Sequence, residues 1–348
     1  MIEPGESRST RRQAARPTIG QVAISAGVSK ATVSRVLTGS APVREAVRRR
    51  VLDAVAELGY QPNAAARSLA TGRSHVIGVL VSDIEIPFFT TIARSIQNVA
   101  QRSGYLTMVA NSDERPAVED EIARELASRM LDGLIVAPTA GENRALRELA
   151  TELPIVLIDR LMAGVAIDAV LSDNVGGALA AAGHLLDLGH RRIAYATEPP
   201  DKTSTLERLA GFRQAYAARG LEHPHHLVWE VDYHSAAAER ALTRRLRRER
   251  PTALLAAEGS ITLGAVRAAS ALGLRVPRDL SVLGFDQLDW SSATSPPLTV
   301  VNQDAERIGR EAANLLLARL AGRRTHAVTV RRVPTELMTR ASCGAPPT

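Results

Sequence analysis

The chain has 348 residues, of which 45% are hydrophobic and only 3% aromatic, and its formal net charge at pH 7 is +6. This length predicts two or three globular domains rather than one. The single cysteine, Cys343, excludes an intrachain disulfide and fits a reducing cytoplasm. No apolar run approaches the roughly 18 residues of a membrane span, and residues 1–17 lack the apolar segment of a secretory signal.

The excess positive charge is confined to the N-terminal part of the chain. Residues 1–74 carry 12 Lys and Arg against 5 Asp and Glu, whereas the other 274 residues carry 31 against 32. A basic module joined to a near-neutral body is typical of a protein that binds nucleic-acid phosphates. We expect residues 1–17 to form a disordered basic arm in front of this module.

Residues 18–37 have the spacing of a helix-turn-helix. Thr18 is suited to cap a helix over 19–25, Gly27 allows a tight turn, and Ser29 can cap a second helix over 30–37. The polar face of that second helix is placed to enter a DNA major groove. It carries Lys30, Ala31, Ser34 and Arg35. Pairs of short amphipathic helices also occur in other domains, so this interpretation depends on the charge pattern as well.

A third helix is predicted over 44–58, and Gly59 follows it. Its inner face is predicted to consist of Val47, Val51, Leu52 and Val55. After it, Asn63 can cap a short helix over 64–70, whose sequence AAARSLA favours helix but is too short to be stable alone. This segment is therefore either a plain linker or a helix that needs a partner.

From His75 onward, strands and helices alternate in two successive sets. Predicted strands lie at 76–83, 105–112, 131–138, 154–160, 170–174, 191–197, 227–232, 253–258 and 281–286. A strand and helix at 298–322 and a closing strand at 325–337 complete the pattern. Two sets predict two doubly wound parallel sheets, whose ligands bind beyond the carboxyl ends of the strands. The polar residues at those ends are candidates for a cleft between two lobes: Asp83, Asp159, Asp173, Glu258 and Asp286.

Five separated stretches carry a family resemblance. They are TIGQVAISAGVSKATVSRVL, YQPNAAARSLATGRS, SDNVGGALAAAGHLLDLGHRRIAY, SVLGFDQLDWSSATSPPLTVVNQD and VRRVPTELMTRAS. In this order they resemble the lac/galactose repressor (LacI/GalR) family of bacterial transcription regulators, from Thr18 to about Cys343. The resemblance implies an all-α helix-turn-helix headpiece with a hinge helix, followed by a two-lobed α/β core like that of periplasmic binding proteins.

The resemblance also implies a division of the chain into domains. We expect a basic arm at 1–17, the DNA-binding domain at 18–62, a hinge helix and linker at 63–74, an effector-binding and dimerisation core at 75–340, and a tail at 341–348. Within the core, the N-lobe would comprise about 75–160 and 301–322, and the C-lobe about 161–300 and 323–340.

Roles in DNA binding follow from the resemblance, residue by residue. Lys30, Ala31, Ser34 and Arg35 fall where the family meets base edges, and Arg35 can bridge guanine O6 and N7. Thr18, Ser29 and Thr32 are expected to be phosphate contacts or helix caps. Asn63, Arg67 and Leu69 belong to the hinge, where Leu69 would enter the minor groove of double-stranded DNA. Two headpieces on a two-fold axis imply a homodimer on a near-palindromic operator.

The effector site is implied in the same way. We expect no cofactor and no metal, but a small sugar-like effector between the lobes, held by Phe88, Asp159, Arg160, Lys202, Ser204, Arg208, Tyr233, Glu258 and Asp286. Three departures stand out: Ile86-Pro87-Phe88 where the family often has Asn-Pro-Phe, Glu258-Gly259 where it usually has Asn-Asp, and Arg44 in place of a capping Ser or Thr. The end ASCGAPPT has no leucine heptads, which favours a dimer over a coiled-coil tetramer.

Two other functions account for parts of the pattern. A solute-binding protein for transport would share the two-lobed core, but it would need a signal peptide and no basic headpiece. An enzyme or metal protein is suggested only by the histidines of GHLLDLGH and EHPHH. Neither group has the spacing of metal ligands supported by acidic partners. No Ser-His-Asp order, P-loop or nucleotide fingerprint is present, so we expect a cytoplasmic regulator rather than an enzyme.

Overall fold

The computed structural model describes residues 17–38, 41–60, 73–322 and 327–347. The chain divides into two compact units at Ser74. The described residues of the first unit form three helices: α1 Ile19–Ala26, α2 Lys30–Thr38 and α3 Glu45–Leu58. Almost all of the predicted arm, residues 1–16, lies outside the described residues.

Local signals in the sequence set the ends of these helices. At the start of α1 the Gln21 amide donates to Thr18 Oγ1 at 3.4 Å, and the Thr18 amide donates to Gln21 Oε1 at 2.8 Å. This reciprocal pair is a capping box. Gly27 and Gly59 end α1 and α3 in the left-handed region, at φ 62° and 60°, which glycine adopts without a steric penalty. Arg44 precedes α3 without a side-chain capping bond.

Small apolar side chains form the core of this unit. The buried residues are Val22, Ala23, Ala26, Val33, Val51 and Ala54. The prediction that Leu52 faces inward is wrong, because its side chain is 45% exposed. Successive residues of a helix are rotated by about 100°, so the face that buries Val51 also buries Ala54 and turns Leu52 outward.

The second unit is built from two six-stranded sheets and the helices that cover them. Its strands are β1 Val76–Val81, β2 Leu106–Asn111, β3 Gly133–Val136, β4 Ile155–Ile158, β5 Asp168–Ser172, β6 Ile193–Thr197, β7 Val228–Glu230, β8 Ala253–Ala256, β9 Ser281–Phe285, β10 Thr299–Gln303, β11 Val330–Val333 and β12 Thr335–Met338. Its helices are α4 Pro87–Arg102, α5 Pro116–Ser128, α6 Arg144–Glu152, α7 Asn174–Asp187, α8 Thr203–Ala217, α9 Ser235–Glu249, α10 Gly259–Ala271, α11 Asp289–Ala293 and α12 Ala305–Leu320.

Each sheet forms one lobe. The N-lobe sheet has the order β11-β5-β4-β3-β1-β2 with every pair parallel, and the C-lobe sheet has the order β12-β10-β9-β8-β6-β7 with only β12 antiparallel. Apolar clusters lie on both faces of each sheet, against α4 and α12 or α5 and α6 in the N-lobe, and against α7 and α8 or α9 and α10 in the C-lobe. Because helices cover both faces of each sheet, the side chains on both sides of these strands are apolar.

The predicted lobe boundaries need correction. Strand β5 lies in the N-lobe sheet, whereas residues 161–300 were assigned to the C-lobe. Strand β10 lies wholly in the C-lobe sheet although residues 301–322 were assigned to the N-lobe, and the expected closing strand is two strands, β11 and β12, in different sheets. The chain therefore crosses between lobes at Asp173, Asp304 and Pro334. Pairing of distant strands decides these crossings, and local sequence patterns carry no information about it.

The segment predicted as a tail is partly built into the C-lobe. Ser342 is buried, its Oγ donates to the Val282 carbonyl at 2.5 Å, and it accepts the Thr299 amide at 2.8 Å. His190 lies beside it, with Nδ1 2.8 Å from Thr252 Oγ1 and Nε2 2.9 Å from the Gly344 carbonyl. This histidine therefore has a structural role. None of the described helices is long and apolar enough to cross a membrane.

Candidate functional site

The outer face of α2 presents the residues expected to meet DNA bases. Lys30, Ala31 and Arg35 are exposed and Ser34 is half-buried. Lys30 lies along α1, because a Cβ added at Gly20 would be 3.2 Å from Lys30 Cε. The Arg35 guanidinium stays near its own helix, with Nε donating to the Ala31 carbonyl at 3.4 Å. Two cations thus stand on one exposed helix face.

The hydroxyl groups near the starts of α1 and α2 act as caps. The Thr32 amide donates to Ser29 Oγ at 3.2 Å, and the Ser29 and Thr32 hydroxyls lie 2.9 Å apart. No acidic residue lies in the first turn of either helix. Both N-termini therefore keep the partial positive charge that attracts phosphate. Asn63, Arg67 and Leu69 lie outside the described residues, so their assigned roles remain predictions.

A polar cavity lies between the lobes at the carboxyl ends of their strands. Eight of the nine residues predicted to hold an effector line it: Phe88, Asp159, Arg160, Ser204, Arg208, Tyr233, Glu258 and Asp286. The free volume among the lining side chains is about 40 Å³, which is room for a few water molecules. A sugar-sized ligand therefore requires side chains or lobes to move apart.

Arg208 is the centre of the C-lobe wall. Its guanidinium donates to Asn174 Oδ1 at 2.8 Å, to the Ala257 carbonyl at 2.5 Å and to Gln303 Oε1 at 2.9 Å. The same group lies over the Phe285 ring, 4.6 Å from its centroid. A buried guanidinium held by three acceptors and a ring has a single orientation.

An ion-pair cluster occupies the opposite side of the cavity. Arg160 pairs with Asp159 Oδ2 at 2.9 Å and with Glu114 Oε1 at 3.0 Å. Lys202 pairs with Glu198 at 2.7 Å and with Glu114 at 3.3 Å. Burial by itself would raise the pKa of Glu114, but Arg160 and Lys202 hold that pKa below its usual value. Lys202 is not among the residues that line the cavity, but it pairs with two carboxylates that do.

Several polar contacts join the lobes within the described residues, and three of them lie beside the cavity. Besides the Lys202–Glu114 pair, Tyr233 donates its hydroxyl to Asp83 Oδ2 at 3.1 Å and the Leu161 amide donates to Thr203 Oγ1 at 2.8 Å. Each contact joins a residue of the N-lobe to one that follows a C-lobe strand. A change in the separation of the lobes would break all three.

Two carboxyl groups meet at the N-terminus of α10. Glu258 Oε2 accepts the amides of Ser260 at 3.0 Å and Ile261 at 3.1 Å, and Asp286 Oδ2 accepts the Gly259 amide at 3.1 Å. Burial, and then the nearby Asp286, raise the pKa of Glu258 to about 8. Burial also raises the pKa of Asp286, although Arg208 opposes this. Near neutral pH, Glu258 is therefore a carboxyl that is easily protonated.

We expect Glu258→Gln to stabilise the fold at high pH. Because the pKa of Glu258 is about 8 in the folded chain and 4.5 ordinarily, the folded state binds more protons between these values. The carboxyl therefore destabilises the fold as pH rises through that window. The variant should melt above the wild type at about pH 8, by roughly 2–4 °C for each kcal/mol recovered, and close to it at about pH 5. The exposed Glu121→Gln is the control, and an equal shift at both pH values would contradict the expectation.

Sequence reasoning misplaced two strand-end residues and missed several. Asp83 does not line the cavity, although it accepts the hydroxyl of Tyr233, which does. Asp173 lies outside the cavity, because its side chain caps α7 by accepting the Gly176 amide at 3.0 Å. The cavity residues that were missed are Ile86, Phe89, Glu114, Thr197, Glu198, Thr205, Ala257 and Gln303. Thr197 and Gln303 are the last residues of β6 and β10, so a uniform search of strand ends would have found them. Glu114 follows β2 by a turn at φ 52°, for which the sequence carries no clear signal.

A basic three-helix unit joined to a two-lobed core with an interlobe cavity defines a DNA-binding regulator with a periplasmic-binding-protein-like core. Residues 18–63 match the family described as bacterial regulatory proteins, lacI family, and residues 182–343 match the periplasmic binding protein-like domain. The chain belongs to the lacI family of bacterial transcription regulators, in agreement with the resemblance in its sequence.

Relatives match over nearly the whole chain. The HTH-type transcriptional repressor PurR of Aliivibrio fischeri (strain MJ11) is 35% identical over 93% of this chain and 98% of its own length. The HTH-type transcriptional regulator CelR of Thermobifida fusca is 35% identical over 94% of this chain and 98% of its own length. Among solved structures, the lac repressor dimer bound to operator and the anti-inducer ONPF is 29% identical, with a TM-score of 0.84 over 94% of this chain and 99% of that one.

These matches decide between the functional classes. The named relatives are transcriptional regulators, so the prediction that the chain is a regulator and not an enzyme is confirmed. A transport solute-binding protein would account for the core but not for the match of residues 18–63 to a DNA-binding family.

Proposed function

We propose that this protein is a dimeric repressor that binds a near-palindromic operator and responds to a small sugar-like effector in the interlobe cavity. The observation that carries the DNA-binding part is the exposed pair Lys30 and Arg35 on α2, in a unit that contains all of the excess positive charge. Arg35 has the donors to bridge guanine O6 and N7 in the major groove. Residues 63–74 would act as the hinge.

A second copy of the chain is the partner we infer for the edge of the N-lobe sheet. Strand β2 ends that sheet and leaves Leu106 72%, Met108 36% and Val109 43% exposed. An apolar edge strand exposed to solvent favours association with another chain. A dimer would place two headpieces on one duplex, and the lac repressor in the matching structure is a dimer on its operator.

The interlobe contacts supply the coupling between effector and DNA. A ligand too large for the cavity must disturb Lys202–Glu114, Tyr233–Asp83 and Leu161–Thr203. The lobes then have two arrangements, with and without these contacts, and a ligand that prefers one of them shifts the population. A sugar-like ligand fits because the wall combines acceptors and donors with the rings of Phe88 and Tyr233. CelR, a relative, has a structure described as a complex with cellobiose.

The direct test of the DNA-binding proposal is Arg35→Ala. An operator would first be selected from random duplexes with the wild-type protein. We expect the variant to lose about 1–3 kcal/mol of operator binding per half-site and to become less selective at one base pair, as measured by fluorescence anisotropy on single-base variants. Arg49→Ala, an exposed arginine of α3, is the matched control and should weaken operator and unrelated DNA equally. Equal affinity of the wild type for operator and scrambled duplex would refute sequence-specific binding.

A further inference from the structure

The interlobe cavity contains more negative than positive groups. Five carboxyl groups line it, on Glu114, Asp159, Glu198, Glu258 and Asp286, against the guanidinium groups of Arg160 and Arg208. With Lys202, which reaches Glu114 and Glu198 from outside the wall, the cations number three. If every group is ionised, the site has a net charge of −2.

The three cations already have partners. Arg160 and Lys202 are held by Asp159, Glu114 and Glu198 in the ion-pair cluster. Arg208 donates hydrogen bonds to three uncharged oxygens, one of which is Gln303 Oε1. Its link to Asp286 is indirect, because Gln303 Nε2 donates to Asp286 Oδ1 at 2.6 Å. The ion-pair cluster has three carboxylates for two cations, whereas Glu258 and Asp286 make no ion pair within the described residues.

Glu258 has one oxygen without a partner. Its Oε2 caps α10, whereas its Oε1 is shielded from solvent and accepts no hydrogen bond from the described part of the chain. Among the described residues that line the cavity, no other side chain has a buried polar atom without a hydrogen-bond partner. When Glu258 is ionised, this oxygen is an acceptor only, so the position then lacks a donor.

Gly259 brings the second carboxyl close to the first. A Cβ at position 259 would lie 2.9 Å from Asp286 Oδ2 and 3.2 Å from Leu288 Cδ1. Without that atom, Asp286 accepts the Gly259 amide while Glu258 accepts the next two amides of the same helix. The pair Glu258-Gly259 thus holds two carboxyl groups at a single helix N-terminus on the cavity wall.

We propose that the effector carries a protonated amine which binds Glu258 Oε1 beside Asp286, as in an amino sugar or another small aminated polyol. This inference deepens the proposed effector site and rests on that proposal. An ammonium group supplies up to three N–H donors and a positive charge, so it satisfies the free oxygen and also reduces the acidic excess of the site. A hydroxyl group would satisfy the oxygen but leave the charge unbalanced.

A metal ion is a poorer fit to the same position. Calcium or magnesium takes at least six ligands, mostly oxygens. The described residues contain no group of three His, Cys, Asp or Glu side chains arranged to hold a metal ion. Both oxygens of Asp286 and one of Glu258 are also already engaged.

Matched compounds that differ in one group test the inference. Binding of D-glucosamine and D-glucose, D-galactosamine and D-galactose, and D-mannosamine and D-mannose would be measured by calorimetry on the full-length protein at about pH 7, where these amines are largely protonated. We expect at least one amine to bind about ten- to hundredfold more tightly than its hydroxyl partner. In Glu258→Gln that ratio should fall to about one, because the amide places an N–H donor where an acceptor is needed.

A second variant separates Glu258 from the general acidity of the site. Glu198→Gln removes a cavity carboxylate that is already paired with Lys202, and it should keep the preference for the amine. The inference is overturned if no amine binds, if each hydroxyl partner binds as tightly as its amine, or if Glu258→Gln keeps the full preference. Failure of the proposed function has a different signature, since no compound of any class would then alter operator binding.

Discussion

Raising the salt concentration from about 50 to 200 mM is expected to weaken the protein–DNA complex roughly 10³–10⁵-fold. The reason is counterion release, in which each phosphate neutralised by Lys or Arg frees a condensed cation, and two headpieces would neutralise roughly 6–10 phosphates. The described headpiece has exposed cations for this purpose on α2 and α3: Lys30, Arg35, Arg48, Arg49 and Arg50. The measurement is operator affinity by anisotropy at four or more salt concentrations.

Single substitutions show where the salt dependence arises. Arg48→Ala should reduce the slope of log affinity against log salt by about one for each phosphate that this side chain neutralises. Arg247→Ala removes an arginine that is also exposed, from α9 of the core unit, and it should leave the slope unchanged. A wild-type slope near zero would contradict electrostatic DNA binding by the headpiece.

Replacing Arg208 by Ala is expected to lower the free energy of unfolding by at least about 3 kcal/mol, because each buried acceptor left without a donor costs roughly 1–3 kcal/mol. The substitution leaves Asn174 Oδ1, the Ala257 carbonyl and Gln303 Oε1 without their donor. It also removes the cation that counteracts the rise in the pKa of Asp286 caused by burial. Urea denaturation of the purified variant measures the decrease.

The same variant tests the role of Arg208 in the effector site. A thermal-shift screen of sugars, sugar phosphates and nucleosides should give stabilising ligands with the wild type and none with Arg208→Ala. Arg213→Ala, at an exposed position of the same helix α8, should remain within about 0.5 kcal/mol of the wild type and keep every ligand shift. An unchanged urea midpoint for Arg208→Ala would show that the network contributes little.

Residues at helix and strand ends were predictable because their chemistry is local. Thr18 and Gln21 form a capping box, and Gly27 and Gly59 adopt positive φ at helix ends. Asp159 and Asp286 follow apolar strands and lie in the cavity, as the rule for parallel sheets requires. Gln303 obeys the same rule, but a search confined to acidic strand ends passes over an uncharged amide.

Other features depended on pairing between distant segments. Strand β11 pairs with β5, and strand β12 pairs with β10 in the other sheet, although only Pro334 separates β11 from β12 in the chain. Asp173 resembles its neighbours at strand ends, but its side chain turns back to cap α7. Lys202 was expected to contact a ligand, and its ion pairs with Glu114 and Glu198 depended on the folded structure.

The sequence by itself determined the basic helix-turn-helix unit and the alternation of strands and helices, because helix caps, apolar periodicity and charge are encoded in neighbouring residues. The class of protein followed from the resemblance of five stretches to a known family. Tertiary structure decided which lobe contains β5, β10 and β11, and which oxygen of Glu258 has no hydrogen-bond donor within the described residues. Hydrogen bonding between strands and the burial of a carboxyl both arise from residues far apart in the chain. Both features are therefore decided by the folded structure and not by local sequence.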